Sequence, residues 1–140
     1  MQRHKAQVQD LMTPNPFVVE PATALYDAYT KMFEKEIRRL PVVRGKTLVG
    51  IVTLSDILRV LPSAFTEVDT DAQLQVMNLT VSDVMTPDPV TVTPEDTVQE
   101  VAEQMLENQV SALPVVQNER VIGIITESDI FKFIVSSWAA

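Results

Sequence analysis

Apolar residues along the 140-residue chain recur at two spacings. Leu25, Ala28, Tyr29, Met32 and Phe33 stand at helical intervals, which puts all five on one face. Val98, Val101, Ala102, Met105 and Leu106 repeat the same intervals. Thr23 and Asp96 stand just ahead of these runs as N-caps, and Thr97 with Glu100 fits a capping box. Met32 and Met105 read as core filler. Phe17-Val18-Val19 and Val90-Thr91-Val92, each following a Pro-x-Pro segment, predict short strands. Arg39 to Val43 and Thr47 to Thr53 flank Arg44-Gly45-Lys46 and predict a hairpin, with Gln117-Asn118-Glu119 as its second-half counterpart. Pro41 and Pro114 lack an N–H and belong at a strand start or a sheet edge. A last helix begins around Ser55 or Ser128 and runs through Ile57, Leu58, Val60 and Leu61, or through Ile130, Phe131, Phe133 and Ile134.

The two halves of this pattern are one pattern written twice. Shifting the chain by 73 residues aligns Val8–Leu61 with Val81–Ile134 without a gap, and about 20 of the 54 positions are identical. Asp10-Leu11-Met12-Thr13-Pro14 falls on Asp83-Val84-Met85-Thr86-Pro87, and Leu40-Pro41-Val42-Val43 on Leu113-Pro114-Val115-Val116. Gly50-Ile51-Val52-Thr53-Leu54-Ser55-Asp56 falls on Gly123-Ile124-Ile125-Thr126-Glu127-Ser128-Asp129. The organisation expected is a first unit over 1–61, a linker over 62–80 with a possible helix from Asp71 to Met77, and a second unit over 81–140. Each copy reads strand, helix, strand, strand, helix, a mixed α/β (α+β) class. Three strands and two helices are too few to bury their own apolar face, so the two copies are expected to share one unit.

Composition then narrows the chemistry. The chain is 46% hydrophobic and 21% charged, as expected of a globular protein with a core. It has no cysteine, and its single histidine, His4, sits in a polar start. Thiolate metal sites, cysteine nucleophiles, His-rich zinc sites and histidine-based triads are thereby disfavoured. Three glycines leave no Gly-rich phosphate loop. No catalytic residue and no metal ligand is therefore assigned, and the chain reads as a non-enzyme. Its apolar runs fall far short of the ~20 residues that span a bilayer, so no membrane partner is expected, and without an apolar N-terminal stretch the expected location is cytoplasmic.

Charge adds an asymmetry. The net charge is −8, with 9 Lys/Arg against 8 Asp/Glu over residues 1–70 and 2 against 11 over 71–140. This balance argues against nucleic acid as the main partner. Arg38, Arg39, Arg44 and Lys46 form the one cationic cluster, either a solvated strand end or a phosphate site.

The order Asp-x-Met-Thr-Pro, Leu-Pro-Val-Val, Gly-Ile-x-Thr-x-Ser-Asp-Ile, present twice, closely resembles a tandem pair of CBS domains, named after cystathionine β-synthase. The resemblance implies two units packed through their sheets about a pseudo-twofold axis, with clefts between them that hold adenosine derivatives: AMP, ADP, ATP or S-adenosylmethionine. No covalent cofactor is implied. It further implies an energy-sensing regulatory role, a disc-shaped homodimer and a separate regulated protein. The family's ligand motif falls on Thr53, Ser55 and Asp56 and again on Thr126, Ser128 and Asp129. There the Asp would hold the ribose hydroxyls and the Thr or Ser would assist at ribose or phosphate. Positions before Leu-Pro-Val supply phosphate contacts, here Arg38 and Arg39 in the first copy and Ser111 in the second.

Physical chemistry fits that transfer: a carboxylate accepts from both ribose hydroxyls, and a helix start offers N–H groups to phosphate. Capping by Ser55 and Ser128, with Asp56 and Asp129 as first-turn acids, explains such residues singly but not Thr three positions before Asp in both copies. Since Arg is the better phosphate partner, the cleft receiving Arg38 and Arg39 is expected to favour phosphorylated adenosine, the other a less charged ligand or none. The alternative is a ligand-free dimerisation module held by helix faces bearing Tyr29, Phe33, Leu106 and Phe131.

Overall fold

The computed structural model describes residues 6–60 and 77–139. In chain order its elements are α1 (Val8–Leu11), β1 (Thr13–Pro14), α2 (Leu25–Lys35), β2 (Arg39–Arg44), β3 (Thr47–Thr53) and α3 (Leu54–Leu58). They continue with α4 (Val81–Val84), β4 (Thr86–Pro87), α5 (Val98–Asn108), β5 (Ala112–Gln117), β6 (Arg120–Thr126) and α6 (Glu127–Ala139). The class is mixed α/β, as the pattern predicts. The helix expected over Asp71 to Met77 falls largely on positions outside the described residues.

Contacts divide the chain into two compact units, Phe17–Asp88 and Met1–Pro16 with Pro89–Ala140. These do not coincide with the sequence repeat, because each copy's opening segment belongs to the unit that holds the rest of the other copy. Within Phe17–Asp88, β3 pairs antiparallel with β2 on one side and β4 on the other, Gly50 lying opposite Pro87 and Ile51 opposite Thr86. In the second unit β6 pairs with β5 and with β1, Gly123 opposite Pro14 and Ile124 opposite Thr13. Each core is completed in the same way. Val81 is fully buried beside Leu25, Met32, Leu40, Val52 and Ile57, and Val8 beside Val101, Met105, Leu113, Val115 and Ile125. Backbone hydrogen bonds hold these valines: Val81 N donates to Thr23 O and Leu25 N to Leu79 O, both at 2.9 Å. Val8 N donates to Asp96 O at 2.8 Å and Val98 N to Ala6 O at 3.1 Å.

The same bonds correct the N-caps expected at Thr23 and Asp96. The inserted segments accept the first helical N–H groups, so α2 starts after Ala24 and α5 after Thr97, one residue later. Thr97 does cap, accepting from Glu100 N at 3.2 Å. Asp96 instead accepts from Thr93 N at 2.8 Å.

The strands expected at 17–19 and 90–92 shrink to single parallel bridges, Val19 with Val42 and Val92 with Val115. Prolines 16, 21, 89 and 94 bracket both segments and remove the donors a longer ladder requires. The bridge also explains the proline in each Leu-Pro-Val-Val. Val19 N donates to Pro41 O at 3.1 Å and Val43 N donates to Val19 O at 2.9 Å, so this side of β2 needs only the carbonyl of residue 41. Val92, Pro114 and Val116 repeat the arrangement. Pro41 and Pro114 thus lie on the outer edge of each hairpin, as their missing N–H predicts. On the helices, Phe33 and Leu106 turn outward, 77% and 79% exposed. They stand about 80° round the helix from Leu25 and Val98, at the rim of the apolar stripe.

The tightest approach in each unit lies where the exchanged segment crosses the motif glycine. A Cβ on Gly50 would lie 2.6 Å from Met85 Sδ and 3.0 Å from Thr86 O, and one on Gly123 would lie 2.5 Å from Met12 Sδ and 3.0 Å from Thr13 O. The thioether can yield, but the strand carbonyl cannot without breaking the β3–β4 or β6–β1 pairing. Gly50→Ala and Gly123→Ala are therefore each expected to destabilise the protein by roughly 1–3 kcal/mol in urea unfolding. A wild-type midpoint in either variant would contradict this close-approach role.

Candidate functional site

At the end of β3 the chain turns directly into α3, and Thr53 makes the turn. Its hydroxyl accepts from Asp56 N at 3.2 Å, while Asp56 Oδ2 accepts from Thr53 N at 3.0 Å. The junction of β6 and α6 repeats these distances: Asp129 N donates to Thr126 Oγ1 at 3.2 Å and Thr126 N to Asp129 Oδ2 at 3.0 Å. Both are reciprocal capping boxes. This corrects two expectations. The caps are Thr53 and Thr126, not Ser55 and Ser128, and the recurrence of a Thr three positions before an Asp is accounted for by capping itself.

A second correction concerns the helix-start N–H groups. Leu54 N donates to Arg38 O at 2.7 Å and Glu127 N to Ser111 O at 2.9 Å. With the N–H groups of Asp56 and Asp129 held by threonine, two of the first three donors in each helix are committed within the protein. The N–H groups of Ser55 and Ser128 are the ones left over among these three.

The expected residues do gather by unit. Arg38, Arg39, Thr53, Ser55 and Asp56 lie in Phe17–Asp88, with Arg39 opposite Thr53 in the hairpin register. Ser111, Thr126, Ser128 and Asp129 lie in the other unit, with Ala112 opposite Thr126. Arg38 is exposed and Arg39 half-buried. Asp56 is mostly enclosed, 16% exposed, and its Oδ1 faces Arg59 at 3.7 Å. Arg59 escaped the sequence reading although the i, i+3 spacing marks it; exposed at 77%, it contributes charge rather than stability. Lys132 holds the equivalent position in the second copy.

What remains for chemistry is specific. A carboxylate offers about four lone-pair directions, and the capping box uses one oxygen of each Asp. Asp129 Oδ1 has no partner among the described residues. The hydroxyls of Ser55 and Ser128 are exposed and make no hydrogen bond among the described residues. Each unit thus presents a fixed acceptor and, one residue earlier in the same turn, a hydroxyl able to donate or accept, and the first adds arginines. Among the described residues no cluster of His, Cys, Asp and Glu could hold a metal ion, and no helix is long and apolar enough to cross a membrane.

Comparison with known proteins agrees with this duplicated geometry. The family model of the CBS domain matches twice, at residues 8–63 and 81–136. Protein MJ1225 of Methanocaldococcus jannaschii is 36% identical over 129 residues, covering 90% of this chain and 46% of its own length. The CBS domain pair of protein MJ0100, solved with 5′-methylthioadenosine and S-adenosyl-L-methionine, superposes with a TM-score of 0.81 at 26% identity, covering 96% of this chain and 99% of the other. CBSX2 of Arabidopsis thaliana, solved with AMP, superposes with a TM-score of 0.79 at 31% identity over 94% and 98%. The chain spans less than half the length of the first curated relatives it matches, among them a homoserine O-acetyltransferase from Methanohalobium evestigatum of which it covers 24%.

The reciprocal box makes a stability prediction. Asp56→Ala and Asp129→Ala are each expected to cost about 0.5–2 kcal/mol in urea unfolding, whereas the Asn variants keep most of it because an amide oxygen can accept the threonine N–H. Equal losses in the Ala and Asn variants would contradict the capping role.

Proposed function

The chain belongs to the CBS-domain family, both copies included, and on that premise we propose that it is a regulatory module that senses an adenosine derivative through the Thr-x-Ser-Asp segments of its two units. The observation that carries this reading is the pair of motif serines. Thr53, Asp56, Thr126 and Asp129 all serve the caps, whereas the Ser55 and Ser128 hydroxyls stand in the same first turns without a structural partner among the described residues. The second carboxylate oxygen of each Asp, in the same turn as that hydroxyl, suits vicinal hydroxyls such as those of ribose. Structures of a CBS pair with S-adenosyl-L-methionine and of CBSX2 with AMP support adenosine as the shared element.

Side chains set the preference for phosphate. Arg38, Arg39 and Arg59 surround the first cap in sequence and register, and guanidinium groups pair well with phosphate oxygens. The second copy has Ser111, Ala112 and Lys132 at these positions, with Glu127 replacing Leu54. AMP, ADP or ATP is the ligand class for the site that receives Arg38 and Arg39. A less charged adenosine compound suits the other.

The output is a change in assembly or in a partner, achieved by binding one state more tightly than another. A self-association role has its own support: Phe131, Ile134, Val135 and Trp138 form an exposed stripe at helical spacing on α6, with Trp138 79% exposed. A homodimer formed through such faces is the assembly we propose for transmission.

Two measurements separate ligand sensing from a purely structural module. AMP or ATP at a hundredfold excess over its dissociation constant stabilises a single-site binder by about 2.7 kcal/mol, visible as a raised Tm, and a scaffold without a site shows no shift. Ser55→Ala together with Ser128→Ala is expected to leave the unliganded Tm unchanged and to weaken nucleotide binding about tenfold in calorimetry. Arg38→Ala and Arg39→Ala are expected to weaken AMP and ATP but not adenosine; unchanged affinity for both nucleotides would overturn the assignment of the arginines.

A further inference from the structure

A cleft of about 380 Å³ opens within the unit Phe17–Asp88, at the lower end of the roughly 300–1,000 Å³ range of small-molecule sites. None of the capping residues lines it. Its inner wall is apolar, made by Val18, Val19 and Val43, of which the last two are 6% exposed. Its other walls carry Glu20, Thr23, Asp27 and Lys31.

The charges around this cleft are arranged unusually. Lys31 Nζ donates to Val18 O at 2.7 Å, which fixes the half-buried ammonium and leaves two of its three N–H donors. Asp27 precedes Lys31 by four residues on α2, the favourable order for a helical ion pair. Yet neither the Asp27 nor the Glu20 carboxylate has an ion-pair or hydrogen-bond partner among the described residues. A fixed cation and two uncommitted anions thus line one cavity floored by valine.

The second copy supplies an internal control, since it has the same elements and a different set of side chains. Shifted by 73 residues, Val18 becomes Thr91, Glu20 becomes Thr93, Thr23 becomes Asp96, Asp27 becomes Glu100 and Lys31 becomes Gln104. There the acids are occupied internally: Asp96 Oδ2 accepts from Thr93 N at 2.8 Å and Glu100 Oε1 from Thr97 Oγ1 at 3.1 Å. The cation is gone and the valine at the first position is a threonine. The fold therefore does not require the charges of the first copy or its valine at position 18, although Val92 and Val116 keep the rest of the floor.

We propose that this cleft binds a small zwitterion with an aliphatic side chain, a free α-amino acid, whose carboxylate meets Lys31, whose ammonium meets Asp27 and Glu20, and whose side chain lies on Val18, Val19 and Val43. A purely anionic ligand would face two carboxylates, and a purely cationic one would face the fixed ammonium; only a molecule carrying both charges complements all three groups. The apolar floor favours a branched aliphatic side chain over a polar one.

The test uses the full chain, saturated with AMP so that the capping segments are not the reporter. Calorimetry is run with L-leucine, with 3-methylbutylamine, which lacks the carboxylate, and with 4-methylpentanoate, which lacks the ammonium. Amide chemical shifts locate the response. The expected result is saturable binding of L-leucine, shifts centred on residues 18–23, 27–31 and 43, and an affinity at least about tenfold weaker for either truncated compound. Lys31→Gln and Val18→Thr place the second copy's own residues in the first and are expected to remove binding while the protein stays folded. No saturable binding at millimolar leucine, equal binding of the amine alone, or full retention of affinity in Lys31→Gln would each overturn the proposal.

Discussion

A strand passing over a glycine holds each half of this protein together. The Met-Thr-Pro segment of one copy lies across Gly123 and that of the other across Gly50, so near that a Cβ beneath would force the methionine and the strand to shift. Everything else in the units follows from that crossing. It adds a third strand to a two-stranded hairpin, which alone is marginal in water. It delivers Val8 or Val81 into the core and supplies the carbonyl groups that receive the first N–H of the long helix. Because the crossing segment comes from the other copy, neither copy contains its own complete core. Two short repeats thereby obtain the buried surface of a larger domain.

The same economy governs the candidate site. Thr53 with Asp56, and Thr126 with Asp129, close helices before they can do anything else. A carboxylate that serves as a cap is held in one orientation, so on the proposed reading its remaining oxygen would meet a ligand without further loss of side-chain freedom. Removing the Asp therefore disturbs the fold, and on the proposed reading recognition with it. Only the serine between them is uncommitted to the fold.

Much of this was legible in the sequence. Helical spacing located α2 and α5, and the turn residues located both hairpins. The duplication revealed the family, because three ordered motifs recurred at one offset. Three features were hidden for physical reasons. The exchange of opening segments is a long-range choice that no local pattern encodes, and it moved the helix starts past Thr23 and Asp96. Two-residue strands such as Thr13–Pro14 carry no periodicity to detect. The N-caps lie at Thr53 and Thr126, two residues before the serines at which the helices were expected to begin, because a capping box closed by Asp departs from the longer Glu or Gln usual at that position.

The duplication also shows how to weigh identity between the copies. Residues shared by both are tempting markers of function, yet nearly every motif residue here has a structural task. Leu40 and Leu113 fill cores, Pro41 and Pro114 lend carbonyls to a bridge, Gly50 and Gly123 admit a crossing strand, and Thr and Asp cap. Identity among these positions follows from folding the same unit twice. The information about ligands lies in what remains after that subtraction. One part is the shared serines, which the described fold does not use. The other is the set of positions at which two frameworks of the same pairing and hydrogen bonds differ: Arg38 against Ser111, Leu54 against Glu127, Lys31 against Gln104. A framework fixed by the strand crossing leaves those positions free to diverge. A duplicated fold can therefore hold two unlike recognition surfaces on one scaffold.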